Sequence, residues 1–275
     1  MRLITTLQVA AIGAATLLLS GCGQPQAMDL KQAVNSDVRS ADHKARDQYR
    51  HPAQTLRFFQ VEPDMTVVEI WPGGGWYTEI LAPYLHDSGT LYAAHFPSDT
   101  EVGYQQRSRD KFVQRMQQTP AFENVIVTEF SPMGESAIAP PASADRVLTF
   151  RNLHNWYMDG GEEGVKAAFK QFYQALKPGG ILGVVDHRLP EDRDSGDMRS
   201  SGYMKQQWVI DMAREAGFEL EASTEINANP ADNADHPKGV WSLPPTLTMG
   251  QKYRTEFEKI GESDRFTLKF RKPAQ

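Results

Sequence analysis

The sequence predicts one α/β domain whose seven-stranded sheet is mostly parallel, with helices on both faces and an antiparallel last strand. Two observations support this prediction. Short apolar runs alternate with amphipathic helical stretches from residue 66 onward, which is typical of a parallel sheet with right-handed crossovers. The last two apolar runs have no helical stretch between them, so these strands are expected to pair antiparallel. The domain is predicted to span residues 61–275.

The first strand, turn and helix lie within Thr66–Leu85. The apolar run at 67–71 has the length of one buried strand, and Pro72-Gly73-Gly74-Gly75 follows it. After this turn the apolar residues follow the spacing of one helix face: Tyr77, Ile80, Leu81, Tyr84 and Leu85. Glycines let the backbone approach a ligand closely, and a helix start offers free N–H groups. We therefore predict a ligand site at this turn, with Glu69 as a hydrogen-bond acceptor near the strand end.

The later elements follow in order along the chain. Further strands are predicted at residues 90–95, 124–129, 145–150, 181–186, 218–226 and 266–270. Helices are predicted at residues 101–118, 165–176 and 204–216. Residues 227–265 are a long insertion rich in Pro, Asn and Asp, for which Trp241 and the prolines after it suggest an ordered lid or substrate wall. The alternative is that Trp241 only packs over the edge of the sheet.

The N-terminus has the features of an export signal. Arg2 precedes an apolar segment, Leu3–Leu19, and the small residues after it lead to Cys22. The sequence Leu-Ser-Gly-Cys resembles the lipobox of bacterial lipoproteins, in which the cysteine becomes the lipidated N-terminus. Because Gly23 follows Cys22, this resemblance implies a location on the periplasmic side of the outer membrane. Cys22 is the only cysteine, so no disulfide is expected within the chain.

The N-terminal region therefore divides into three predicted segments. Residues 1–21 are the signal peptide, residues 22–33 are a lipidated tether, and residues 34–60 are a helical extension with a helix starting near Pro52. The chain has 29 Lys and Arg against 35 Asp and Glu, for a net charge of −6. This acidic balance argues against nucleic acid as a partner. The expected partner is a small molecule, with the membrane contacted through the lipid at Cys22.

Three motifs make the chain resemble the class I S-adenosylmethionine-dependent methyltransferases. They are Val68–Gly75 around the first turn, Leu176–Gly180 before the fifth strand, and Ala216-Gly217-Phe218 before the sixth. The match covers roughly residues 60–272 and looks closest to a group of exported methyltransferase-like proteins. The resemblance implies a Rossmann-like methyltransferase fold, S-adenosylmethionine as cofactor, and transfer of a methyl group to a small-molecule acceptor.

The resemblance also implies which residues hold the cofactor. Glu69 and the three glycines correspond to the family's grip on the amino-acid half of the cofactor. At the end of the second strand the family usually has an acid for the ribose, where this chain offers His95. Near the adenine, Ser131 stands where the family often has aspartate, and Glu129 lies two residues earlier. Arg151, at the end of the fourth strand, is a further cofactor-binding candidate, and with Arg188 it could instead hold an acidic substrate or lie solvated on the surface.

The segment after the fourth strand faces the transferred methyl group in the family. His154 is accordingly the predicted general base, since imidazole titrates near neutral pH, with Asn152 and Tyr157 positioning the acceptor. The alternative is that Asn152 and His154 only cap the loop after the strand.

Two other functions stay open at this stage. One is an exported binding protein that keeps the fold for another ligand. The other is a metal-assisted hydrolase using His154, His187 and Asp186, because the fourth and fifth strands are expected to be neighbours. No HxH or HxxxH spacing supports a metal site, and none is predicted.

Overall fold

Eight strands form one sheet in the computed structural model, which describes residues 28–134 and 136–274 of the chain. The strands are β1 (Thr66–Ile70), β2 (Thr90–His95), β3 (Val125–Glu129), β4 (Ala144–Phe150), β5 (Leu176–Leu189), β6 (Met204–Lys205), β7 (Glu219–Thr224) and β8 (Arg265–Arg271). The sheet order is β3-β2-β1-β4-β5-β8-β7, and the short β6 pairs with β5. Neighbours from β3 to β5 are parallel, whereas β8 is antiparallel to both β5 and β7.

This topology confirms the predicted sheet, with one addition. The predicted antiparallel pair is formed by β7 and β8. The extra strand, β6, has only two residues, which is too short for an apolar period to indicate it in the sequence. The parallel arrangement brings the carboxyl ends of β1, β4 and β5 to one edge of the sheet, which is where ligands bind in open α/β folds.

Helices cover both faces of the sheet. They are α1 (Leu30–Asn35), α2 (Ala41–Ala45), α3 (Asp47–Arg50), α4 (Pro52–Phe58), α5 (Thr78–Leu85), α6 (Gly103–Gln118), α7 (Leu153–Ala175), α8 (Met198–Ser201), α9 (Gln206–Glu215) and α10 (Gln251–Ile260). Three short 3₁₀ helices lie at Pro120–Phe122, Ser195–Asp197 and Gly239–Ser242. One apolar core contains the buried face of α7, and the other contains the buried faces of α4 and α5. None of the helices in the described ranges is long and apolar enough to span a membrane.

The N-terminal extension packs on the domain from residue 30. Leu30 and Ala33 of α1 are buried in the same core as α5, so the structure makes residues 30–33 part of a packed helix rather than of a tether. Pro52 begins α4, as predicted from the sequence, because a proline at the first helical position loses no hydrogen bond. The predicted signal peptide and Cys22 lie outside the described residues.

The long helix α7 begins twelve residues earlier than the apolar spacing indicates, at Leu153 rather than near residue 165. Its backbone is broken at Gly161, where φ is 62° and ψ is −151°. The break separates a short first part, which follows directly from β4, from the long amphipathic part. Residues 152–154 therefore lie at the start of a helix, at the carboxyl end of β4.

Candidate active site

A cavity of about 330 Å³ opens at the carboxyl ends of β1, β4 and β5. We call it the glycine-loop cavity. Its wall consists of three parts of the chain: the ends of these strands, the N-terminal extension and the 227–265 insertion. The residues that line it include His43, Arg46, Arg50, Glu69, Trp71, Gly73, Gly74, Arg151, Asn152, His154, His187, Trp241, Pro244, Pro245, Glu262 and Ser263.

The glycines of the first turn have different roles. A Cβ atom added at Gly73 or Gly74 would meet no atom within 4 Å, so the backbone here faces open space in the cavity. Gly73 also has φ of +59°, which glycine adopts without strain. Gly75 does not line the cavity, and a Cβ there would lie 3.3 Å from the Phe112 ring. Of the three predicted glycines, two therefore offer bare backbone to a ligand, and Gly75 serves the turn.

Glu69 is the acid of the cavity wall nearest this turn in sequence. Its side chain is buried, and the Thr78 hydroxyl donates a hydrogen bond to Oε2 over 2.6 Å. Burial raises the pKa of Glu69 to about 8, with a smaller contribution from the nearby carboxylate of Glu79. The carboxyl group is therefore held neutral near pH 7, and a cationic ligand beside it would favour its ionised form.

His154 is oriented by a buried carboxylate. The Nδ1 atom of His154 lies 2.9 Å from Oδ1 of Asp186, which is fully buried. Asp186 also accepts backbone N–H bonds from Leu153 at 2.7 Å and His187 at 2.8 Å, so both of its oxygens act as acceptors. Nδ1 of His154 accordingly donates, which leaves Nε2 as the free acceptor atom of the ring. This is the arrangement that a general base requires.

His187 lies beside this pair. Its ring centre is 5.0 Å from that of His154, and its Nδ1 atom is 2.5 Å from the Ser263 hydroxyl. Burial holds the pKa of His187 well below its usual value, so the ring is neutral. His154, Asp186 and His187 present nitrogen and oxygen atoms within 4.8 Å of one another, as the pairing of β4 with β5 predicts.

The other two predicted catalytic residues differ in position. Asn152 lines the cavity, but its Nδ2 donates to the Ile70 carbonyl at 2.8 Å and to the Thr149 hydroxyl at 3.2 Å. It thereby ties the end of β1 to the end of β4. Tyr157 lies outside the cavity lining and packs its ring 5.0 Å from that of Trp208. The structure thus gives Tyr157 a packing role instead of the predicted positioning of the acceptor.

A second cavity of about 290 Å³ lies beyond Trp71, between the segments that follow β2 and β3. We call it the β2–β3 cavity. Trp71 lines both cavities, and its indole N–H donates to the Phe130 carbonyl at 2.9 Å. Asp99 and Ser131 are among the polar residues of the second cavity. Ser131 is one of the predicted cofactor residues, and Asp99 lies four residues after the end of β2.

His95 and Glu129 are not where the resemblance implies. His95 is fully buried: its Nδ1 accepts from the Phe96 N–H at 2.8 Å, and its Nε2 donates to the Gly73 carbonyl at 3.2 Å. Burial lowers the pKa of His95 to about 4, so the ring is neutral. The ring bonds to the glycine turn instead of holding a ribose. Glu129 accepts hydrogen bonds from Ser98 and Arg109 and lines neither cavity. Both predicted cofactor contacts are corrected by these positions.

Several cavity residues were not foreseen from the sequence. Arg46 and Arg50 come from the N-terminal extension, and Glu262 from the segment before β8. No local motif marks them, because they meet only through contacts between parts of the chain more than 200 residues apart. The insertion was predicted as a lid or substrate wall, and Trp241 with Pro244 does line the cavity.

Solved structures with the same fold include known methyltransferases. A SAM-dependent methyltransferase from Aquifex aeolicus matches 89% of this chain and 99% of its own, with a TM-score of 0.55 and 13% identity. A SAM-dependent methyltransferase from Methanosarcina mazei matches 80% of this chain and 98% of its own, with a TM-score of 0.53 and 11% identity. The chain therefore has the fold of class I S-adenosylmethionine-dependent methyltransferases.

The same fold also occurs with another reaction. The [4+2]-cyclase SpnF matches 90% of this chain and 93% of its own, with a TM-score of 0.59 and 18% identity. No protein-family model and no curated protein matches the sequence. At these identities the similarity establishes the fold, and the activity has to be argued from the site.

Proposed function

We propose that this protein is an S-adenosylmethionine-dependent methyltransferase acting on a small-molecule acceptor. The observation that carries the proposal is the glycine-loop cavity itself, which is lined by bare backbone at Gly73 and Gly74, the buried acid Glu69 and the oriented base His154. This arrangement lies at the carboxyl ends of the strands, in a fold shared with methyltransferases.

The residues present fit the two halves of the cofactor. The bare glycine backbone and Glu69 would bind the amino-acid half, and Glu69 would contact its ammonium group. The β2–β3 cavity would receive the adenosine half, with the Asp99 carboxylate as acceptor for ribose hydroxyls. Trp71 lies between the two cavities and would contact the middle of the bound molecule. These assignments use the polar groups that line each cavity.

The proposed catalysis depends mainly on positioning. When bound, the cofactor supplies the methyl group for a single displacement. The protein holds the acceptor in line, with the insertion and the N-terminal extension forming part of the cavity wall. His154 accepts the acceptor's proton at Nε2 as the nucleophile reacts, and Asp186 keeps the ring oriented and stabilises the protonated imidazole.

Cofactor binding is expected to strengthen as pH rises toward the pKa of Glu69. The free protein holds this carboxyl group protonated below about pH 8, whereas a bound ammonium group favours the carboxylate. Binding should therefore release a proton, and affinity should rise by up to about tenfold per pH unit between about pH 5.5 and 7.5. Calorimetry in buffers of different ionisation enthalpy measures both effects. Glu69→Gln is the control, and an equally steep pH dependence in that variant would exclude Glu69 as the source.

Replacing His154 by glutamine is expected to lower kcat by about 10² to 10⁴-fold while leaving cofactor affinity unchanged. Glutamine keeps a hydrogen-bond donor toward Asp186 but cannot take up the proton. The rate of S-adenosylhomocysteine release, measured with an acceptor that the wild-type protein methylates, gives kcat. Calorimetry gives the affinity for the cofactor. The matched control is His86→Gln, whose ring lies at the surface next to Asp87. Unchanged turnover in the His154 variant would remove this residue from the mechanism.

A second candidate function follows from the convergence of His154, Asp186 and His187. A divalent metal at these side chains would give a metal-assisted hydrolase. In the structure, however, the Asp186 oxygens already accept three hydrogen bonds, which favours a role in orienting His154 over a role as metal ligand. Tightly held zinc found by elemental analysis, together with no heat on titration of S-adenosylmethionine, would favour the hydrolase.

We also propose that the protein is an exported lipoprotein anchored at Cys22, on the basis of the lipobox-like Leu-Ser-Gly-Cys sequence. S-adenosylmethionine is made in the cytoplasm. The alternative for an exported protein is therefore a binding protein that keeps the fold and binds another ligand. Labelled palmitate should enter the wild-type protein in cells and fail to enter a Cys22→Ser variant. Equal labelling of both proteins would contradict the lipid anchor.

A further inference from the structure

Four arginines surround one glutamate beside the glycine-loop cavity. Glu262 accepts a hydrogen bond from Nε of Arg46 at 2.6 Å and from Nε of Arg50 at 3.0 Å, and Nη1 of Arg265 lies 3.2 Å from its Oε2 atom. These guanidinium groups and that of Arg151 hold the pKa of Glu262 at about 2 despite its burial. Arg46, Arg50, Arg151 and Glu262 all line the cavity.

The arginines that line the cavity have donors without partners. Arg50 is 2% exposed, and its Nη2 atom has no hydrogen-bond partner. The same is true of the buried Nη2 of Arg46. Within residues 28–134 and 136–274, no hydrogen bond or ion pair involves the Arg151 side chain. Arg265, which does not line the cavity, instead donates to the carbonyls of Tyr49 and Ser263.

The charges of this cluster do not balance. One carboxylate faces four guanidinium groups, so three positive charges are left in a largely buried site. Burial lowers the pKa of Arg50 to about 9 and that of Arg151 to about 10, and both groups are still charged at neutral pH. Buried charges without partners are costly, and guanidinium groups pair well with the oxygens of carboxylate and phosphate groups. A bound oxyanion would supply both the missing charge and the missing acceptors.

The cluster lies between His187 and the residues that follow the glycine turn. Glu262, which binds Arg46 and Arg50, is followed directly by Ser263, whose hydroxyl is 2.5 Å from Nδ1 of His187. The His187 ring is in turn 5.0 Å from the ring of His154. On the other side, the Arg50 guanidinium lies 4.7 Å from the centre of the Trp76 ring, directly after Gly75 in the sequence, and the Arg50 carbonyl accepts from the Tyr77 hydroxyl. An anion at the arginines would therefore lie in the same cavity as the general base.

We propose that Arg46, Arg50 and Arg151 bind an oxyanion of the methyl acceptor, and that the acceptor is therefore an acidic small molecule carrying a carboxylate or phosphate group. The proposal rests on the proposed function, because it assigns this anion to the second substrate of methyl transfer. Bound in this way, the acceptor shares the cavity with His154. The carboxylate of the cofactor is the competing source of the same chemistry, and the experiment has to separate the two.

Inorganic phosphate is the probe, titrated into the full chain by calorimetry, with the thermal midpoint as a second measurement. Saturable binding and a rise in Tm with phosphate are expected. Arg151→Gln should weaken phosphate binding by about tenfold or more and remove the rise in Tm. Because this side chain has no partner among the described residues, the substitution breaks no ion pair of the fold. Arg188→Gln is the matched control, since Arg188 pairs with Glu225 and Asp264 and does not line the cavity.

The titration is repeated with saturating S-adenosylhomocysteine. Unchanged phosphate affinity supports an anion site for the acceptor, whereas competition shows that the arginines hold the cofactor's carboxylate and overturns the proposal. Absence of phosphate binding in the wild type, or equal weakening in the Arg151 and Arg188 variants, also overturns it. If phosphate binds but S-adenosylhomocysteine does not, the anion site stands, while its assignment to a methyl acceptor falls together with the proposed function.

Discussion

Replacing Gly73 by aspartate is expected to weaken S-adenosylmethionine binding by about 100-fold or more, which corresponds to at least about 2.7 kcal/mol. Gly73 lines the glycine-loop cavity, and the space where its Cβ would lie is free of other atoms within 4 Å. An aspartate side chain would therefore extend into the volume assigned to the amino-acid half of the cofactor and repel its carboxylate. Calorimetric titration of the variant measures the loss.

The control for this prediction is Gly179→Asp. Gly179 also has positive φ, +77°, and a Cβ there would again meet nothing within 4 Å. It lies near the start of β5, at the opposite end of this strand from the cavity, so cofactor affinity should not change. Aspartate tolerates left-handed φ better than most residues, so both variants should fold. Equal affinities for the two variants would contradict the assignment of the glycine turn as the binding site.

Replacing Asp186 by asparagine is expected to lower the free energy of unfolding by about 3 kcal/mol. The carboxylate is fully buried and accepts three hydrogen bonds, from the N–H groups of Leu153 and His187 and from Nδ1 of His154. Asparagine has one acceptor oxygen, so its NH₂ group must face a donor. Urea denaturation followed by circular dichroism gives the difference in unfolding free energy.

Asp211→Asn provides the comparison for Asp186→Asn. Asp211 lies on the exposed side of α9, where it accepts from Gln207 and Arg214, and its replacement should change stability by less than about 0.5 kcal/mol. Folded Asp186→Asn protein should also lose turnover, because His154 would no longer be held with Nε2 free. A loss of stability no larger than that of the Asp211 variant would mean that Asp186 does not organise the site.

The sheet was predictable because apolar runs and glycine turns are local properties of the sequence. Predicted and observed bounds of β2 are identical, and those of β3 and β4 differ by one residue at their start. The start of α7 was not predictable, because the break at Gly161 interrupts the helical period between its two parts. The two-residue β6 is too short to have any period of its own.

The sequence predicted the residues of the site only where the order of the strands determines where a residue lies. Glu69, Gly73 and His154 follow or end neighbouring strands, and the structure places all of them along one cavity. His95 also ends a strand, but sequence position alone does not tell that its ring turns under the glycine loop and bonds to backbone atoms. The paired Arg50 and Glu262 meet across more than 200 residues, which no local pattern indicates.

A crystal structure of the protein with S-adenosylhomocysteine tests the central claim most directly. We predict that the amino-acid half of the ligand lies against the backbone of Gly73 and Gly74, with its ammonium group at Glu69. The adenosine half should occupy the β2–β3 cavity beyond Trp71, with the ribose hydroxyls near Asp99. Ligand bound elsewhere on the protein, and absent from the glycine-loop cavity, would contradict the methyltransferase assignment. Only the assignment of the fold would then stand.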